Sequence, residues 1–525
     1  MEPGDLAVVS KGRGRARIER VLGPAKAIES ALEGLLEERG ARMEFEPYEE
    51  PRDPAGQGRL DLRDLTTFTI DPETAKDFDD AISVEPDGAG VRSWVHIADV
   101  SAYVEAGSPL DRGAARRALS TYVPGLVAPM LPPELSDNAC SLRPSVDRLC
   151  VTVETGPDGA HSFYRSQIRS DERLTYGQAE SILAGSEQTQ PAVQEALRRA
   201  EKLAEELRRR RFGRGALRIE TGEIVFDFDG RGGVADARRE TEPHAHMLVE
   251  ELMILANEAV AAFLAGRRRE ALFRVHESPD PQAVELLLAK LADLGVPTPP
   301  APKKGHLTPG EAATLAGRAS ELVTEYVSRA SRGREGFPAL VLRSLKQARY
   351  DARNLGHSGL ASKAYCHFTS PIRRYPDLVC HRALLRELGL GESALAAEEE
   401  LPVLAEHSSV REREAAEIEY AADDLCLAWL LDSRLFELGW DAVFESEVIG
   451  LIGSGLFARF GDVFEGFLPA RRLSGDYFEL NPLGTALVGR RGGRTIRLGD
   501  SIEVRVAEIR RTEGKVELAP ARSPQ

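Results

Sequence analysis

Cysteine is scarce in this chain. Its 525 residues include five, Cys140, Cys150, Cys366, Cys380 and Cys426, and no two form a C-x-x-C pair. An odd number without metal-ligand spacing argues against a disulfide framework and a structural zinc site, and fits a reducing cytoplasm. Long apolar runs are missing as well. No stretch of about 18 apolar residues occurs, so no membrane span is expected. The opening MEPGDLAVVSKGRGR lacks the apolar core of a secretory leader. Positive charge is in deficit: 68 Lys and Arg face 84 Asp and Glu, a net −16. That balance counts against a protein that coats nucleic acid through its overall charge. It leaves room for an enzyme with a local basic channel and acidic metal ligands elsewhere. Internal repeats and low-complexity tails are absent too.

What is present suggests about three or four domains of ordinary globular make-up. Residues 1–64 read as a partial β segment and linker. GDLAVV and ARIERVL alternate as strands, IESALEGLLEERG has helical spacing with a Gly stop, and PYEEPRDPAGQGRLD interrupts regular structure. In residues 65–390, strand-like runs (DDAISVE, RSWVHIADVSAYV, LCVTVET, GEIVFDFD) alternate with helical ones (AVQEALRRAEKLAEELRRRR, HMLVEELMILANEAVAAFLA, PQAVELLLAKLADLG). This mixture predicts a large α+β domain. Residues 391–440 are rich in Ala, Leu and Glu and read as a helical extension. Residues 441–520 show period-two alternation with Gly turns, which predicts a small β-barrel of the OB type. Arg490, Arg491, Arg494 and Arg497 cluster there in GRRGGRTIR.

The most informative stretch is TIDPETAKDFDDAISVE, which sets Asp71, Asp77, Asp79 and Asp80 within ten residues. Asp71 ends the strand-like TFTID, and Asp80 opens the next. Adjacent residues of a regular strand point to opposite faces, so Asp79 and Asp80 share one site only if the chain bends at the strand start. Carboxylates this close raise one another's pKa unless a cation compensates, and hard oxygen ligands suit Mg²⁺ or Mn²⁺. A solvated acidic loop is the bland alternative. The stretch lacks the spacing of an EF-hand, and GLIGSG lacks the lysine of a phosphate-binding loop. His244 and His246 have no partner at metal spacing and read as structural or surface residues. In HFTSPIRRYPDLVCHR, Arg373 and Arg374 follow a Ser-Pro signal for a helix start, and a helix N-terminus is a ready anion site.

The aspartate stretch, then HIADVSAYVEAGSPLDRGAARRALSTYVPGLVAPMLPPELSDNACSLRP, then HFTSPIRRYPDLVCHR, in this order, resemble the ribonuclease II/R family and its RNB-type catalytic domain across residues 65–390. The C-terminal barrel resembles the family's closing OB-fold. The resemblance implies a processive 3′→5′ exoribonuclease that hydrolyses single-stranded RNA to nucleoside 5′-monophosphates with a divalent cation. On it, Asp71, Asp77, Asp79 and Asp80 match the catalytic metal-binding aspartates. Asp71 and Asp80 would ligate the resident ion, and Asp79 would recruit a second ion or orient water. Arg373 matches a phosphate clamp, with Arg374 and His381 beside it. Tyr122 matches an aromatic that stacks on terminal bases, and Tyr176 a nucleotide contact. Glu250 and Glu251 match a pair near the 3′-terminal nucleotide, where one could read the ribose 2′-OH.

Each assignment has a plainer alternative: a core tyrosine, a surface arginine pair, a charged helix face. Ile219 stands where the family usually carries a second stacking aromatic, which weakens the expected clamp. Arg208 to Arg211 and Arg214 form either a solvated helix end or a basic channel wall. Phe457, Phe460 and Phe467 are core residues or stacking platforms. Only the end of one cold-shock-like domain precedes Thr69, and the chain closes at ARSPQ without a lysine-rich tail, so a weaker grip on long RNA is expected. Single-stranded RNA is the expected partner, with Mg²⁺ (or Mn²⁺) as cofactor. No organic cofactor, no membrane and a monomeric chain are expected. A catalytically silent RNA-binding relative and a nuclease acting on DNA are the competing readings.

Overall fold

The period-two runs of the first half come together in one seven-stranded mixed sheet. Its order across is Glu172–Thr175, Phe68–Asp71, Asp80–Asp87, Gly90–Ala98, Asp147–Thr155, His161–Arg169 and Leu60–Asp61. The structure is a computed structural model that describes residues 3–11, 16–49, 58–218, 222–240, 244–269, 271–300, 307–390, 400–473 and 476–521. The two outer pairings, of Glu172–Thr175 with Phe68–Asp71 and of His161–Arg169 with Leu60–Asp61, are parallel, and the rest are antiparallel. Phe68 lies opposite Ile82, so the end of one strand and the start of the next meet at the same end of the sheet, between its inner strands.

A line of polar side chains crosses this buried sheet. Thr67 Oγ1 bonds Ser83 Oγ (2.8 Å), Ser83 bonds His96 Nε2 (3.1 Å), His96 Nδ1 bonds Thr152 Oγ1 (2.9 Å), and Thr152 bonds Ser166 Oγ (2.6 Å). Burial pushes the His96 pKa down to about 3, so the ring is neutral and donates from one nitrogen while accepting at the other. A one-residue slip of register would break every bond in the line and bury the freed groups unsatisfied.

Both faces are covered. On one, Val193, Ala196, Leu197, Ala200 and Ala204 of the helix Pro191–Gly213 recur at helical spacing and pack with the helix His244–Gly266 over Ile82, Val84, Val95 and Ile97. On the other, Ala81, Ala98, Cys150 and Ile168 meet Leu131, Leu142, Ile372 and Leu378. The helix Tyr375–Glu387 is buried along most of its length and contributes to both clusters. All five cysteines are free and buried.

A hairpin of Asp5–Lys11 and Ala16–Pro24 precedes the helix Ile28–Glu38. Ile28, Leu32 and Leu36 of that helix share a core with the long helix Leu401–Leu438. The long helix runs from the α+β domain, where Ser409 Oγ accepts from Tyr350 N–H (2.9 Å), to the C-terminal barrel, where Leu425, Leu430 and Leu431 join Val448, Leu456, Phe460 and Leu518. Five strands, in the order Val443–Ile452, Gly455–Phe460, Phe464–Pro469, Lys515–Pro520 and Ser501–Arg510, close that barrel. Gly466 is required by close packing, because a Cβ there would lie 2.7 Å from Leu518 Cγ. Among the described residues, no helix is long and apolar enough to cross a membrane.

Leu431 is fully buried where the long helix meets the barrel. Leu431→Ala should cost about 2–5 kcal/mol, read as an earlier urea transition of the barrel and helix by tryptophan fluorescence.

Candidate active site

Asp71 is the last residue of the strand Phe68–Asp71, and Asp80 the first of Asp80–Asp87. The intervening loop carries Asp77 and Asp79, so the bend expected from the sequence is present. Asp79 is buried. Its Oδ1 accepts from Ile372 N–H (2.8 Å), and its Oδ2 lies 3.4 Å from Arg373 Nε. Asp77 Oδ2 accepts from the Tyr122 hydroxyl (2.8 Å). Asp71 Oδ2 and Asp79 Oδ2 are buried without a hydrogen bond.

Like charges under cover resist ionisation. Burial pushes the Asp71 carboxyl up to about 6, against the pull of the Arg173 guanidinium. Burial, with Asp71 next in importance, pushes Asp80 up to about 7. Asp79 is raised well above the usual carboxylate range by burial, with Arg373 opposing. Among the described residues, no three carboxylate, imidazole or thiol groups already converge on one point as a finished metal site. The donor set nevertheless suits a hard cation, because two buried carboxylate oxygens accept no hydrogen bond and the neighbouring arginines offset the repulsion between carboxylates only in part.

Arg373 is half-exposed and faces the cluster. The Ser370-Pro371 signal, with Pro376 close behind it, left the helix start open; the structure sets it at Tyr375, with Pro376 in its first turn, so Arg373 precedes the helix. The reason is tertiary. Arg374 is extended because it bridges to Leu119, Tyr375 N–H donates to Ala118 O (2.8 Å), and Ser120 N–H donates to Arg373 O (2.9 Å). Residues 371–374 therefore form a turn. Asp377 braces it by accepting from Ser370 N–H and from the Arg374 guanidinium, both at 2.8 Å. Arg374 is committed to that brace, though close enough to Asp80 to favour its ionised form. His381 points inward, with Nε2 bonded to Phe368 O (2.8 Å) and its ring stacked on Phe368, so it is a packing residue.

Tyr122 lies on the short strand Thr121–Val123, and its backbone N–H donates to Glu419 Oε1 of the long helix (3.0 Å). Burial keeps its phenol protonated, with Asp77 next among the causes. Tyr176 opens the helix Tyr176–Leu183 with its ring 5.4 Å from that of His246. Burial raises its pKa, followed by Asp80 and Asp71, which places it beside the cluster.

The glutamate pair divides. Glu251 is buried against Arg211, whose Nε donates to Oε1 at 3.0 Å. Glu250 keeps more than a third of its side chain exposed, 3.4 Å from the same guanidinium. Arg211 is thus the counter-ion of Glu251 and no part of an open channel wall, while Arg210 pairs with Glu206 on the helix surface. In the barrel, Phe460 is core, whereas Phe457 is exposed with its ring 5.1 Å from that of Phe467. Arg490 pairs with Glu479, and Arg497 donates to Asp293 O (3.0 Å). Ile219 lies outside the described residues.

Two residues near the site carried no sequence signal. Arg173 donates to the carbonyls of Pro72 (2.5 Å) and Glu73 (3.1 Å), steadying the acidic loop from behind. Glu419, with Asp423 and Glu223 nearby, forms an acidic ridge in which burial, then Asp424, push Asp423 up to about 7.

Residues 59–389 match the RNB domain family, and residues 437–519 match the S1 RNA binding domain. The chain is 38% identical over 493 residues to Ribonuclease R of Escherichia coli (strain K12), taking in 90% of this chain and 58% of that protein. It therefore spans less than two thirds of that relative's length. The solved structure of Mycoplasma genitalium RNase R in complex with ribose methylated single-stranded RNA superposes with a TM-score of 0.85 at 26% identity, covering 96% of this chain and 80% of the other. Yeast Ssd1, a pseudonuclease, matches at 18% identity with a TM-score of 0.71, covering 93% and 62%, a likeness of fold alone. With the aspartate loop and the Arg373 turn set as described, and more than half its length matched by the family, the chain belongs to the RNB family.

Two outcomes test this geometry. In chelator-treated protein, unfolded Asp80 ionises near pH 4 and folded Asp80 near 7, so the native state holds a proton the unfolded state has released, and stability falls as pH rises through that window. Asp80→Asn removes this loss and should raise the melting temperature by a few degrees at about pH 8, with little change at about pH 4, by scanning calorimetry. Arg211→Ala leaves Glu251 buried and unpaired and should cost about 3–5 kcal/mol, whereas Glu250→Gln should stay within about 0.5 kcal/mol of the parent in urea denaturation.

Proposed function

We propose that this chain is a processive 3′→5′ exoribonuclease that hydrolyses single-stranded RNA to nucleoside 5′-monophosphates, with Mg²⁺ or Mn²⁺, as a monomer acting in RNA turnover or processing in a reducing cytoplasm. The observation that carries the reading is the set of four aspartates gathered at one strand end and the next strand start, with the half-exposed Arg373 guanidinium against Asp79. Of the four metal-site aspartates Asp71, Asp77, Asp79 and Asp80, Asp71 and Asp80 would hold the resident divalent ion and Asp79 would recruit a second ion or orient water; the metal would supply charge neutralisation at the phosphate and an acidified water.

The chain's own residues supply the rest. Arg373 orients the scissile phosphate and favours the ionised carboxylates around it. Tyr122 and Tyr176 offer faces for bases irrespective of sequence. Glu250, the accessible member of its pair, hydrogen-bonds the terminal ribose and discriminates RNA from DNA. Glu251 supports it through Arg211. In the same proposal, residues 65–390 with the helical extension 391–440 form the catalytic unit, 441–520 an RNA-binding barrel, and 1–64 a partial cold-shock-like segment.

The second reading, a catalytically silent RNA binder, is favoured by one observation: a pseudonuclease shares the fold. The buried carboxylates, only partly compensated by Arg373 and Arg173, count against it. A 5′-labelled RNA oligomer with Mg²⁺ separates the two. The expected result is a shortening ladder or a jump to a short limit product, lost in Asp79→Asn. RNA that is bound and left intact by the parent protein would sink the catalytic reading.

A further inference from the structure

We propose that the Tyr122 hydroxyl is a positioning group for the acidic loop, holding Asp77 in its working orientation and so linking the seat of the RNA 3′ end to the carboxylate cluster. The inference rests on the exoribonuclease reading for its catalytic consequence. Its structural half stands apart from that reading.

Asp77 lies in the stretch between Asp71 and Asp80 that belongs to neither strand, so no sheet pairing fixes its side chain. Among the described residues, the hydrogen bond to its carboxylate comes from the Tyr122 hydroxyl, at 2.8 Å. Tyr122 is well placed to act as a fixed donor. Its strand pairs with Leu126–Ala128, with Tyr122 opposite Val127. Its own N–H is anchored on Glu419 of the long helix. Two residues upstream, Ser120 N–H holds the Arg373 carbonyl, and Met130 N–H returns to Ser120 Oγ (2.9 Å). One short hairpin thus fixes the turn that carries Arg373 and, through a phenol, the aspartate on the other side of the site.

The two ends of Tyr122 have separable tasks. Its ring offers a stacking face, while its oxygen restrains a carboxylate. A donor to an ionised carboxylate is stronger than a neutral hydrogen bond, so its removal should be visible in the positioning of Asp77 even when the ring stays in place. Tyr122→Phe removes the oxygen and little else.

The test compares the parent chain, Tyr122→Phe, Tyr122→Leu, Asp77→Asn and the double variant Tyr122→Phe with Asp77→Asn. The measurements are kcat, KM and limit product on 5′-labelled single-stranded RNA, and Mn²⁺ binding to RNA-free protein by electron paramagnetic resonance. Tyr122→Phe should keep KM and the limit product, lower kcat about tenfold and weaken Mn²⁺ binding severalfold. Its effect should shrink in the Asp77→Asn background, where an amide oxygen still accepts the bond but the charge that strengthens it is gone. Tyr122→Leu should also change the limit product. A Tyr122→Phe variant within about twofold of the parent in both kcat and Mn²⁺ affinity, additive effects in the combined variant, or a parent that binds no Mn²⁺ would each overturn the proposal. If the parent binds Mn²⁺ but leaves RNA intact, the exoribonuclease reading falls, and weaker Mn²⁺ binding in Tyr122→Phe would still support the restraint on Asp77.

Discussion

Bringing like charges under cover is the constraint on which the rest of the site depends. Asp71, Asp79 and Asp80 are drawn from water to one end of two neighbouring inner strands, and their carboxyl groups are pushed upward in pKa as a result. Proteins rarely tolerate such a cluster without compensation. Here the protein supplies part of it: a backbone N–H from Ile372, the Arg373 guanidinium, the Arg173 guanidinium behind the loop and the Tyr122 phenol on Asp77. None of these fully neutralises the set, and two buried carboxylate oxygens remain without a donor. The arrangement leaves net negative charge under cover, which is the feature the proposed cation would answer.

The scaffold makes that tension geometrically possible. A hydrogen-bonded line from Thr67 through His96 to Ser166 fixes the register of the central strands, and register decides whether Asp71 and Asp80 face one another. The turn 371–374 is fixed from two sides, by the hairpin around Ala118 to Tyr122 and by Asp377 from the helix behind it. The long helix then reaches from Glu419, beside Tyr122, to the barrel core around Leu431. Barrel and aspartate cluster are therefore joined through one continuous helix.

Much of this was legible in the chain itself, for identifiable reasons. The strand alternation in TFTID and DDAISVE located both ends of the acidic loop, and the barrel's turn spacing gave its class, because both are local patterns. The hidden features are contacts between distant positions. Asp77 and Tyr122 are 45 residues apart, Tyr122 and Glu419 are 297 apart, and Arg211 and Glu251 are 40 apart. Nothing in RRRRFG distinguishes the buried Arg211 from its solvated neighbours. The Ser-Pro signal left the helix start open because the strand-like pairing with Leu119 that sets it joins distant positions. The same limit applies to Phe457 and Phe460: only barrel closure decides that one is exposed and the other core.

Fold alone does not decide between an enzyme and a silent relative, since a pseudonuclease has this architecture too. The distinction lies in what the site keeps at a cost. A binding-only surface has no use for carboxylates forced upward in pKa beneath an arginine, and substitution by neutral residues would relieve the strain. Retaining Asp71, Asp79 and Asp80 in cover, with Asp77 individually restrained and Arg373 left half-exposed above them, makes physical sense where a cation and a phosphodiester complete the charge balance. The Arg211–Glu251 pair shows the opposite solution: a buried carboxylate matched by a buried guanidinium, with Glu250 left accessible 3.4 Å from the same guanidinium.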